Sequence, residues 1–120
     1  MQEIGIESSV LQDILDGSKT IEGRLGKVKF LKLRVGDKVS LREDIWQNGE
    51  IVESVPGQGI ILIRQLLYFE TFEEMLSSID FQELIPRAQN VNEVLAEYRK
   101  YYSPEDEKEY GVVAITFSLE

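Results

Sequence analysis

The segment Gly17-Ser18-Lys19-Thr20-Ile21-Glu22-Gly23-Arg24 places an ammonium, a carboxylate and a guanidinium within six positions. A chain that leaves a helix at Gly17 can aim all three at one place, because glycine accepts the left-handed backbone that closes a helix. The guanidinium offers a planar fork suited to a phosphate or a base edge. The ammonium is an anion or carbonyl ligand while charged. It becomes a nucleophile or base only where burial or a cationic neighbour holds it neutral. A carboxylate beside Lys19 favours the charged form. In an ideal strand Lys19 and Glu22 point to opposite faces, so their pairing requires a bend, which Gly23 permits. The same three side chains could instead form an ion-pair network that only ties helix to strand.

Composition narrows the chemistry further. The chain has 120 residues, enough for one domain with a single core. It contains no cysteine and no histidine. Thiol nucleophiles, disulfides, zinc sites built on Cys or His, and Ser-His-Asp triads are therefore excluded. No Asp-rich calcium-loop spacing occurs, and neither metal nor cofactor is expected. The net charge of −9 argues against indiscriminate nucleic-acid binding. Residues 18–42 nevertheless hold eight of the thirteen basic side chains against only Glu22 and Asp37, so this stretch carries +6 and the remainder −15. Lys27, Lys29, Lys32 and Arg34 either extend an anion site as a phosphate track or face solvent. No basic start precedes an apolar run, and no stretch approaches ~18 apolar residues. A cytoplasmic protein without membrane association is expected.

The elements that must position the cluster follow from patterning. Ser9 with Gln12 reads as a capping box opening a helix through Asp16, with Val10, Leu11, Ile14 and Leu15 as its apolar stripe. Short extended segments follow from Thr20. Gly36-Asp37 turns into a strand over Lys38–Leu41, and Asn48-Gly49 signals a hairpin returning over Glu50–Val55. Pro56-Gly57 leads into Ile60–Tyr68, the longest apolar stretch and a predicted central strand. Thr71 with Glu74 caps a helix whose stripe is Phe72, Met75, Leu76 and Ile79. Pro86 breaks the chain, and Asn90 with Glu93 caps a third helix carrying Val91, Val94, Leu95, Tyr98, Tyr101 and Tyr102. Pro104 ends that helix or starts a further turn through Glu105–Glu109. Gly111–Leu119 closes as a β-branched and aromatic strand. Trp46, just before the hairpin turn, is a packing residue or a stacking platform for a base. The tyrosines at helical spacing read as core, with a hydroxyl able to reach a cleft.

The run Gly17-x-Lys19-x-x-Glu22-x-Arg24 resembles the signature of the ASCH family, small proteins with a barrel related to the PUA domain of RNA-modifying enzymes. Gly36-Asp37, Phe72-Glu73-Glu74-Met75-Leu76, Leu84-Ile85-Pro86, Tyr98…Tyr102 and Tyr110-Gly111-Val112-Val113-Ala114-Ile115 extend the likeness over nearly the whole chain. Arg87 departs from it, standing where related sequences often have glycine. The resemblance implies an α+β fold: a small PUA-like mixed β-barrel of five or six strands with about three helices, residues 1–120 forming one domain. It also implies a cleft for RNA or nucleotide-like ligands lined by Lys19, Glu22 and Arg24. Some small bacterial members hydrolyse the acyl amide of N4-acetylcytidine, using the signature lysine, a threonine three residues later and a distant glutamate. Here Lys19 is present and Glu22 occupies the threonine position. Glu74 and Glu83 are the candidates for the distant glutamate.

Three readings remain open at this point. The first is a binding module for RNA or a modified nucleotide, in which Lys19→Ala and Arg24→Ala weaken binding without unfolding. The second is an amidohydrolase on N4-acylated cytidine-type nucleosides, with Lys19 catalytic and a glutamate as proton shuttle. The third is a protein-interaction module using the acidic run Glu105–Glu109.

Overall fold

The computed structural model describes residues 1–120. Ile4 and Ile6 are buried and alternate with half-buried or exposed neighbours, and this two-residue period forms an unexpected first strand, β1 (Gln2–Glu7). β1 runs straight into α1 (Ser8–Leu15), so Glu7 occupies the cap position and no side chain caps the helix. The Ser9–Gln12 box does not form, because Ser9 already lies in the first turn. Leu11 and Ile14 are buried, Val10 is half-buried and Leu15 is exposed. Gly17 ends the passage at φ +85°.

β2 (Ile21–Leu25) leads to a single helical turn, α2 (Val28–Leu31), then to β3 (Lys38–Gln47), β4 (Glu50–Val55) and β5 (Ile60–Phe69). Asn48 and Gly49 both take positive φ, 52° and 78°, the two-residue turn whose twist matches a hairpin. Four helices follow: α3 (Phe72–Ser78), α4 (Phe81–Leu84), α5 (Val91–Arg99) and α6 (Pro104–Tyr110). Thr71 and Asn90 accept from the backbone N–H groups of Glu74 and Glu93, as their spacing predicts. Pro104 starts α6 rather than ending the fold's helices, and Ser103 with Asp106 forms a reciprocal capping box. β6 (Val112–Leu119) closes the chain.

The result is an α+β domain of six strands and six helical segments, twice the expected number of helices. The strands run in the order β1-β3-β5-β6-β2, with β4 on the outer half of β3. β1 pairs with β3 in parallel, and the other ladders are antiparallel. The strand count meets the expected five or six. The ladder stays open between β1 and β2, so the expected closure into a barrel is not shown. One core packs α1 against β1, β3, β5 and β6 through Ile4, Leu11, Val39, Leu41 and Ile63. A second packs the later helices against β2 and β6 through Phe72, Met75, Leu84 and Val94. Buried Glu107 joins its helices: the Phe72 N–H donates to Oε2 (2.6 Å) and Arg99 Nη2 to Oε1 (2.8 Å). No helix is long and apolar enough to cross a membrane.

Candidate functional site

The turn after α1 is fastened on both sides. Lys19 N–H donates to the Asp13 carbonyl (2.9 Å) and Thr20 N–H to the Glu83 carbonyl (3.1 Å), so it is held to α1 and to α4. Lys19 precedes β2 rather than lying on it, which removes the opposite-face constraint. Its side chain is only 5% exposed. The ammonium donates to the carbonyls of Ile21 (2.6 Å) and Leu84 (2.5 Å) and pairs with Glu22 Oε1 (3.1 Å). All three of its protons are engaged.

Glu22 and Arg24 are two apart on β2 and share a face. Arg24 Nε donates to Glu22 Oε2 at 2.6 Å, and Nη2 donates to the Gly5 carbonyl on β1 at 2.8 Å. The guanidinium carbon sits 5.3 Å from the centroid of the Phe30 ring. The arrangement is a linear relay of charge: ammonium, carboxylate, guanidinium. Burial pushes the Lys19 pKa down, opposed by Glu22. Burial alone would raise Glu22, but Lys19 and Arg24 on either side outweigh it and hold the carboxyl below its usual range. Burial likewise opposes the charge on Arg24, and Glu22 more than restores it. A neutral Lys19 amine would have two protons for three acceptors, which keeps the ammonium the better fit.

This relay lines a cavity of about 920 Å³, within the usual range of small-molecule sites. Tyr98, Tyr101 and Tyr102, from α5 and the residues after it, also line the cavity. Phe72 stacks on Tyr98 at 4.2 Å and lies 5.3 Å from Tyr102, fixing both rings. Gly23 makes this approach possible, since a Cβ there would lie 2.6 Å from the Tyr98 hydroxyl. Trp46 and the Leu84–Ala88 segment complete the rim. Arg87 is exposed there and pairs with Asp13 at 3.1 Å. The lining carries six carboxylates (Glu7, Asp13, Glu22, Asp44, Glu93, Glu97) against four cations (Lys19, Arg24, Arg87, Lys100). Such a balance does not favour a polyphosphate.

Lys19, Glu22 and Arg24 are thus brought into contact at one cavity. Other candidates are not. Lys27, Lys29, Lys32 and Arg34 are exposed on and around α2, outside the cavity lining, and form no track into it. Lys27 covers the Tyr110 ring and Lys29 the Phe30 ring. Glu74 and Glu83 are exposed and also outside the lining. Lys19 is buried more deeply than a cleft residue was expected to be, so Lys19→Ala cannot leave folding untouched. Sequence reasoning missed Asp13 and Asp44, both buried. Asp13 carried a signal, an acid inside the apolar stripe between Leu11 and Ile14; Asp44 carried none.

A family model described as the ASCH domain matches residues 4–120. The crystal structure of the hypothetical protein PH0355 is 27% identical and superposes with a TM-score of 0.82, covering 99% of this chain and 98% of that one. The solution NMR structure of protein PF0455 from Pyrococcus furiosus is 29% identical, with a TM-score of 0.74 over 98% of this chain and 96% of that one. No curated protein matches the chain.

Proposed function

This chain belongs to the ASCH domain family, and from that premise we propose that its cavity binds a nucleotide-like ligand, an RNA nucleotide or a modified nucleoside. Lys19, Glu22 and Arg24 form the polar floor. The observation that carries this reading is the joined relay at the base of the 920 Å³ cavity beneath a wall of tyrosines. Each Glu22 oxygen makes one contact and retains acceptor capacity, while the Arg24 fork has donors beyond Nε and its single Nη2 contact. An acceptor beside a donor complements a base edge that presents an amine next to a ring nitrogen; a carboxylate accepting from the cytosine amine is one such pairing. The acidic surplus of the lining favours the base or nucleoside portion over its phosphates.

The amidohydrolase reading is less well supported. It needs Lys19 as the chemical centre, yet three acceptors hold the ammonium protons. Neither Glu74 nor Glu83 reaches the cavity. The protein-interaction reading also loses ground, because Glu107 of the acidic run turns inward to Arg99 and Phe72.

An NMR titration of isotope-labelled protein with cytidine, N4-acetylcytidine and a short RNA tests the proposal. Backbone shifts clustered at residues 17–24 and 98–102 are expected, with the acetyl signal of N4-acetylcytidine intact. Free acetate at a catalytic rate would restore the enzyme reading. No shift with any of the three ligands would refute binding.

A further inference from the structure

Tyr98 combines three properties that the fold does not require together. The residue is 9% exposed, its ring is clamped face to face on Phe72, and its hydroxyl makes no hydrogen bond within the chain although it is not fully enclosed, the one enclosed unpaired side-chain atom being Gln2 Oε1. The hydroxyl lies against Gly23, on the face of β2 opposite to the one that carries Glu22 and Arg24, and both Tyr98 and Gly23 line the cavity. An unpaired hydroxyl that keeps access to a cavity is satisfied by what enters it, water or ligand. Phenylalanine would fill the same stack on Phe72, so packing alone does not call for the oxygen.

We propose that the Tyr98 hydroxyl is a ligand contact, donating its proton from the Gly23 side of β2 to a lone pair on the bound molecule (a carbonyl oxygen or a ring nitrogen). The inference rests on the binding reading above and adds to it a named donor and the ligand group it recognises. Burial raises the Tyr98 pKa, with Glu22 acting in the same direction, so the hydroxyl keeps its proton and acts as a donor. Rigidity supports the assignment. The stack on Phe72 and the absent side chain at Gly23 fix where the oxygen sits, so no rotamer has to be ordered when the ligand arrives. With Arg24 it gives the cavity donors on two elements, β2 and α5, and Glu22 supplies an acceptor. A ligand must then present at least two acceptors and one donor to this cavity.

The test compares the full-length wild type with Tyr98→Phe, a change that deletes one oxygen and keeps the ring. Cytidine and N4-acetylcytidine are the probes, titrated by NMR, with thermal melts of the free proteins alongside. The expected result is a loss of roughly threefold to tenfold in affinity for the probe that binds, the range of one neutral hydrogen bond. The melting temperature of Tyr98→Phe should equal or exceed that of the wild type. Equal affinity of the two proteins overturns the Tyr98 assignment and leaves the binding reading intact. A lower affinity together with a lower melting temperature assigns the hydroxyl to the fold and also overturns it. A wild type that binds neither nucleoside overturns both.

Discussion

Replacing Lys19 by methionine keeps a long apolar stem in a buried site and removes every donor at its end. Three acceptors lose their partner: the carbonyls of Ile21 and Leu84 and one oxygen of Glu22. Glu22 retains Arg24, so its carboxylate is weakened rather than orphaned. Removing one member of a buried pair costs about 3–5 kcal/mol. A chain of 120 residues unfolds with an entropy of about 0.25 kcal/mol/K, taking ~2.1 cal/mol/K per residue. The loss then corresponds to a fall in melting temperature of about 12–20 °C. Calorimetry or circular dichroism melts of the wild type, Lys19→Met, Glu22→Gln and the double variant would measure it. The double variant should lose about 1–3 kcal/mol less than the two singles together, because the two groups touch. Additive losses, or a Lys19→Met protein melting within about 4 °C of wild type, would refute the picture of a buried ammonium holding β2 to α4.

Acid should destabilise the protein through this relay and through the Arg42–Asp44 pair. Glu22 and Asp44 both bind protons less readily in the fold than at their ordinary values of 4.5 and 3.8. For Asp44 the first cause is the paired hydrogen bonding of Arg42, and for Glu22 the flanking cations overcome burial. The unfolded chain therefore takes up protons first. The stability these carboxylates contribute is present above about pH 4.5 and is lost as pH falls through their lowered folded values. Melts from pH 7 to pH 2.5 should show this decline, and Glu22→Gln should flatten it; an unchanged slope would remove Glu22 from the account. Gly23→Ala should cost about 1–3 kcal/mol, because the new methyl meets the Tyr98 hydroxyl at 2.6 Å. Tyr98→Phe should recover part of that loss, since the next contact is the ring carbon at 3.1 Å. Failure of the second change to rescue the first would mean that the ring has moved elsewhere.

Local chemistry was the readable part of this sequence. Thr71, Asn90 and the Asn48-Gly49 turn act within three or four residues, and each stands where its spacing places it. The cluster at Lys19, Glu22 and Arg24 was legible for the same reason, being compact along the chain. What the sequence withheld depends on distant partners. Lys19 is buried by a carbonyl 65 residues away, and nothing near it announces Leu84. β1 was hidden by Gly5, a poor strand residue, which is tolerated because the Arg42 and Asp44 side chains lie where its Cβ would be. The Ser9–Gln12 box misled because a strand already fixed where α1 begins. The basic residues 27–34 looked like a track from their charge, and only the turn at α2 decides that they face away from the cavity.

The single contact from Arg24 to Gly5 has a consequence for motion. β1 and β2 are the two ends of the strand order, and a side chain, not a ladder, spans them there. A seam held in this way can part without unfolding either neighbour, since the ladders of β1 with β3 and of β2 with β6 stay whole. Parting of this seam should therefore leave the protected amides of β1 unexchanged, because their bonds lie in the ladder with β3. A molecule that takes the remaining donors of the Arg24 fork leaves the Gly5 contact in place. Occupancy of the cavity then ties the two ends of the sheet together, with a single guanidinium as the latch.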